Sequence, residues 1–199
     1  MVARRFAVIA LWVSAAMSQM IDEEKAKAKS QLGENDYALI AAAAEGDVKM
    51  TKRLLAAGSN AKAATEDGET SLHTCGISGS AEVARLLLDA GAVVDARVTA
   101  PKGLHMTPLT WFTYGLHLEG IKVLMEFGAN INLVVDDEEG NHLTALDIAS
   151  RMTEGHEIVA HFRTNGGKRF EELTPEEITA YSVAPSSEAT TAPTSADEL

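Results

Sequence analysis

The chain has 199 residues, 46% hydrophobic and only 5% aromatic, enough apolar material for one core of ordinary domain size but thin for a β-sandwich or barrel. Its formal net charge of −12 argues against nucleic acid and anionic membrane surfaces as principal partners, and the single cysteine, Cys75, excludes an internal disulfide, a CxxC redox pair or a Cys-rich zinc site. Charge is unevenly spread: +1 over residues 1–34, −6 over 35–170 and −7 over 171–199.

In chain order, the first segment is Met1-Val2-Ala3-Arg4-Arg5, an apolar run from Phe6 to Val13, and the small residues Ser14, Ala15 and Ala16. A basic start, a short apolar stretch and a small-residue site resemble a secretory signal peptide over residues 1–18. An uncleaved anchor over residues 6–21 and an organelle presequence are the alternatives. The run is interrupted by Ser14, Ser18 and Gln19, short of the ~20 apolar residues that span a bilayer. Residues 19–34 read as a polar linker.

The middle repeats itself. Gly46 to Gly58 and Gly79 to Gly91 are each 12 residues, and Gly58 to Gly91 is 33. Thr70-Ser71-Leu72-His73 recurs as Thr107-Pro108-Leu109-Thr110 and as Thr144-Ala145-Leu146-Asp147. A threonine at each opening suits a helix N-cap, Pro108 suits the first helical position, and Gly58, Gly91 and Gly128 suit left-handed helix ends. Leu54-Leu55, Leu86-Leu87-Leu88 and Val123-Leu124-Met125 supply the apolar stripe for stacking. This period and opening resemble the ankyrin repeat, in four copies over residues 35–65, 66–98, 103–135 and 140–167. The resemblance implies an all-α solenoid of stacked helix-turn-helix units with short β-hairpin-like fingers, and binding on the concave face lined by fingers and first helices.

Counting along the first helices points Thr74, Ile77 and Ser78 of the second repeat to that face, with Trp111 and Tyr114 of the third and Arg151 of the fourth. Burial of Trp111 under the lengthened fingers is the alternative. Phe112 takes the small position held by Cys75. The fingers contribute Arg97, Lys102 and His105, then Asp136, Asp137, Glu138 and Glu139; these opposite charges bind a partner or pair with each other. His73 falls on the repeat motif's own histidine and His156 on its Gly-His turn, so both read as structural. No HExxH, EF-hand, P-loop or GxSxG spacing occurs, so no metal, cofactor or catalytic residue is expected.

Residues 171–199 turn acidic and rich in Ser, Thr and Pro, which reads as a disordered tail. It closes on Ala196-Asp197-Glu198-Leu199, which resembles the KDEL-type retention signal except at Ala196. The expected function is a monomeric, non-catalytic adaptor that binds a protein in the secretory pathway, in the endoplasmic reticulum lumen. A membrane-tethered scaffold or an accessory subunit of an enzyme complex are the alternatives.

Overall fold

The computed structural model describes residues 32–99, 104–137, 139–152 and 157–182. The second, third and fourth repeats each begin with a threonine lock, built differently each time. Before α3 (Ser71–Ser78), the Thr70 amide donates to His73 Nδ1 at 3.1 Å. That ring nitrogen therefore accepts, and Nε2 donates to the Met106 carbonyl at 3.3 Å. Before α5 (Pro108–Tyr114), the Thr107 amide donates to Thr110 Oγ1 at 2.9 Å, and the Thr110 amide returns a bond to Thr107 Oγ1 at 3.4 Å. Before α7 (Ala145–Met152), the Asp147 carboxylate takes the same place, accepting the Thr144 amide at 3.0 Å. All three are capping boxes that satisfy amides a helix start would leave orphaned.

The remaining helices are α1 (Glu34–Glu45), α2 (Val48–Ala56), α4 (Ala81–Asp89), α6 (Leu118–Glu126), α8 (Glu157–Thr164) and α9 (Pro175–Ser182). The first helices stack in the order α1, α3, α5, α7, and the second helices α2, α4 and α6 stack behind them. Leu39, Leu72, Leu87, Leu109, Leu124, Leu146, Ile158 and Phe162 form one continuous buried stripe through all four repeats. The fold is a mostly helical repeat solenoid. Fingers are slight: an Ala64–Thr70 bridge in the first, and in the third an antiparallel pair, β1 (Val135–Asp136) with β2 (His142–Leu143). Gly58, Gly91 and Gly128 all take positive φ after their helices, as expected.

The third repeat keeps the frame and changes its contents. Phe112 is fully buried where the second repeat has Cys75. Room comes from Gly120, which stands where the second repeat has Val83; a Cβ there would lie 2.1 Å from the Phe112 ring. Bulk has moved from the outer helix to the inner one. Leu116 takes φ +56° where the second repeat has Gly79 at φ +67°, so a leucine here sits in a conformation that favours glycine.

The expected boundary at residue 170 needs correction. A short 3₁₀ turn (Phe170–Glu172) and α9 continue the ordered chain to Ser182. Leu173 is buried, Arg163 pairs with Glu172 and Lys168 with Glu177. The Tyr181 carbonyl accepts from the Val134 amide at 3.2 Å, tying this segment to the third finger. The region has apolar residues to bury after all, so the tail reading fails for residues 171–182.

Candidate functional site

The face of the first helices carries a row of equivalent positions. Ala44, Ile77, Tyr114 and Arg151 each lie seven residues beyond their repeat's opening position or its counterpart. The first three are half-buried, and Arg151 is exposed. They sit one repeat apart on helices that stack, so they form a continuous strip whose chemistry changes from apolar to aromatic to cationic.

Two residues expected on this face are occupied elsewhere. The Thr74 hydroxyl is buried and donates to the Ile40 carbonyl at 3.0 Å; Ser78 donates to the Ala43 carbonyl at 3.0 Å. Both stitch α3 to α1, because a carbonyl has a second lone pair and a short hydroxyl side chain facing the preceding helix can reach it. Trp111 is half-buried, edge-on to His73 at 6.1 Å between ring centroids. Its Nε1 is buried without a hydrogen-bond partner among the described residues. Gly76 makes the approach possible, since a Cβ there would lie 2.7 Å from Trp111 Cβ. The ring therefore lies between the groove and core positions that the sequence left open.

The fingers pair with one another. Arg97 is a keystone: Nη1 donates to the Val134 carbonyl at 2.8 Å and Nη2 to the Tyr181 carbonyl at 2.6 Å. It thereby joins the second finger, the third finger and α9, with Asp95 and Asp136 as nearby counter-charges. Burial lowers its pKa, as expected for a cation drawn out of water. Asp136 lies between His105 Nδ1 at 2.8 Å and His142 Nδ1 at 2.6 Å. Although its partial burial opposes ionisation, those two imidazoles together hold its carboxyl below the usual range. Asp137 accepts from the Asn141 side chain and amide and from Arg151 at 3.3 Å. Glu139 is exposed. Lys102 and Glu138 lie outside the described residues, as do His156 and residues Ala196, Asp197, Glu198 and Leu199.

His73 is enclosed and its pKa falls to about 4 because burial disfavours the imidazolium. Burial likewise pushes the Cys75 thiol up to about 12, so it packs as a small hydrophobe. Among the described residues no group of three or more His, Cys, Asp or Glu side chains is arranged to hold a metal ion.

Sequence reasoning missed a cleft of about 540 Å³ at the C-terminal end of the row, between α7 and the strand-to-turn segment around Phe170. Its lining includes His142, Ser150, Arg151, Arg169 and Phe170. Reading residues beyond 170 as tail hid it, although Phe170, Leu173 and Ile178 already marked that stretch as able to bury side chains.

Residues 10–98 match the family described as "Ankyrin repeats (3 copies)". A Drosophila melanogaster relative, "Ankyrin repeat and KH domain-containing protein mask", is 37% identical over 98 residues. That alignment covers 47% of this chain and 2% of the relative, so the chain spans a small part of that protein's length. Ankyrin repeats generally mediate protein–protein interaction and are typically non-catalytic. No helix among the described residues is long and apolar enough to cross a membrane. The match begins at residue 10, inside the segment read as a signal peptide. Residues 10–98 are thus similar to ankyrin repeats, and the stacked helix pairs from α5 to α8 continue the architecture of the described part of that stretch.

Proposed function

We propose that this chain is a non-catalytic adaptor that binds a protein partner along the first-helix row, Ile77, Tyr114 and Arg151, with Trp111 at its edge. The carrying observation is the row itself: side chains at one register position, left accessible on successive stacked helices, while neighbouring hydroxyls are spent on the scaffold. Aromatic and arginine side chains are the types that dominate interface energies. The test is affinity for a partner identified by cross-linking to the full chain. Ile77→Ser and Tyr114→Ala should each weaken it by more than about 1 kcal/mol while leaving the fold intact. Unchanged affinity in both variants would remove the row from the interface.

The setting belongs to the same proposal: the secretory pathway, with retention in the endoplasmic reticulum lumen. Its support is the ordering of residues 1–18 and the Asp197-Glu198-Leu199 ending. A second reading, without a cleaved signal, is favoured by the family match, which starts at residue 10 and so takes in part of the segment assigned to the signal. The N-terminal sequence of the protein recovered from cells separates the two. A start near residue 19 supports the signal; an intact N-terminus removes its cleavage and supports the second reading.

A further inference from the structure

We propose that His105, Asp136 and His142 form a proton-operated clasp between the second and third fingers. It tightens when the two imidazoles take up protons and loosens when they release them.

Two equivalent junctions of the array show what is unusual here. The Thr99 amide donates to the Asp67 carbonyl at 2.7 Å and joins the first finger to the second; the Asp136 amide donates to the Leu104 carbonyl at 3.0 Å and joins the second to the third. Asp67 and Leu104 each lie three residues before an opening threonine, so the two bonds share one register. Next in the chain come Gly68, at φ +82°, and His105, at φ +48°. One junction thus pairs glycine with threonine where the other pairs histidine with aspartate. A histidine in the left-handed region is held against its backbone preference, and such an outlier points to a role for the side chain. That side chain reaches Asp136, with Nδ1 2.8 Å from Oδ2. The other oxygen, Oδ1, lies 2.6 Å from Nδ1 of His142, its cross-strand neighbour in the β1–β2 pair.

An ionised carboxylate only accepts, so both Nδ1 atoms carry hydrogen and both Nε2 atoms are left to take a second proton. The His105 and His142 side chains are 57% and 56% exposed, which keeps them open to protons from solvent. Imidazole changes charge between about pH 5 and 8. Protonating both takes the trio from one negative charge to one positive. It also sets opposite charges across both bonds, which strengthens them. The charged groups around the clasp are Asp95 and Arg97 of the second finger, Asp137 and Glu139 of the third, Asp147 and Arg151 of α7, and Arg169 and Glu171 of the segment that follows. Carboxylates and guanidinium groups ordinarily titrate outside that window, so the two imidazoles are what acid changes at this junction. Exposure to water keeps the effect modest.

Amide hydrogen exchange in the full chain tests the clasp, with Asp136 as its reporter and Thr99 as the unclasped counterpart. Their ratio cancels stability changes common to the whole array. Corrected for intrinsic exchange, Asp136 protection relative to Thr99 should rise at least about threefold on going from about pH 7.5 to about pH 5.5. His105→Gln combined with His142→Gln keeps amide donors beside Asp136 and removes the titration, so the rise should vanish while the circular dichroism spectrum stays the same. His105→Gly suits the left-handed backbone and keeps the fold. At the lower pH it should reduce Asp136 protection and leave Thr99 protection unchanged. A wild-type ratio that stays flat or falls with acid would overturn the clasp, and so would an equal rise in the double glutamine variant.

Discussion

The second and third repeats share a frame and differ in what fills it. Both open on a threonine capping box, bury a leucine at equivalent positions of each helix and close on a glycine at positive φ. Inside that frame the second repeat uses His73, Cys75 and Val83, and the third uses Thr110, Phe112 and Gly120. The period is set by capping and stacking, which tolerate few residue types. The volume inside each repeat has only to sum correctly, so it can be supplied from either helix.

Where the frame is common, cost should be common too, and this is the largest effect expected. Leu87 and Leu124 are both fully buried at equivalent positions. Leu87→Ala and Leu124→Ala should each lose about 2–5 kcal/mol in chemical denaturation, through lost transfer energy plus a cavity. A loss in only one would show that the stack is not uniform.

Where the contents differ, so should the response to acid. His73 titrates near 4 in the fold, against about 6.5 in an unfolded chain. Between those values the unfolded state binds the extra proton, so stability falls as pH drops from 6.5 to 4, by about 3 kcal/mol. His73→Thr, which borrows the third repeat's lock, should flatten stability across that window. A slope that persists in the variant would place the titration elsewhere.

The ends of the array differ as well. Among the described residues the first repeat ends the stack with α1 and α2, whereas the fourth is buttressed by residues 170–182, tied in through Arg97. Arg97→Ala strands the Val134 and Tyr181 carbonyls and should cost about 2–3 kcal/mol. Ending the chain at residue 169 should cause a comparable loss, and ending it at residue 182 almost none. Thermal melts of the two truncations provide the check.

The smallest effects lie on the outer surface. Lys52–Glu82 and Arg85–Glu126 bridge successive outer helices at 2.8 and 2.5 Å, with all four side chains about half exposed. Lys52→Ala and Arg85→Ala should each cost less than about 1 kcal/mol, and less still in high salt. A larger loss in Arg85→Ala would point instead to its guanidinium over the Phe127 ring at 5.7 Å.

The repeat frame was legible because each of its residues answers a local rule: Thr70, Thr107 and Thr144 cap, Gly58, Gly91 and Gly128 terminate, and Leu87 and Leu124 keep helical spacing. The third repeat's Phe112 looked anomalous because its compensation, Gly120, lies on another helix; only packing reveals the exchange. The last helix announced itself in Thr174-Pro175-Glu176-Glu177, a capping box with proline at the first position, and both of its bonds form, at 2.9 and 3.2 Å. The acidic composition around it obscured that signal. Within the candidate site, the register of Ile77, Tyr114 and Arg151 followed from helical counting alone. Thr74, Ser78 and Arg97 did not, because which carbonyl a donor reaches depends on how neighbouring repeats pack. The cleft at Arg169 depends on the folded-back segment and had no local signature.

The claim that the two repeats exchange volume within one frame is tested most directly by a double-mutant cycle that writes the second repeat's pair into the third. Phe112→Cys alone should open a cavity and cost about 3–4 kcal/mol, and Gly120→Val alone should clash with the ring and cost about 1–3 kcal/mol or more. Together they should cost at least about 1 kcal/mol less than the sum of the two, because valine then fills what the phenylalanine vacates. Additivity within about 0.5 kcal/mol would contradict the exchange and leave Phe112 and Gly120 as unrelated features of the third repeat.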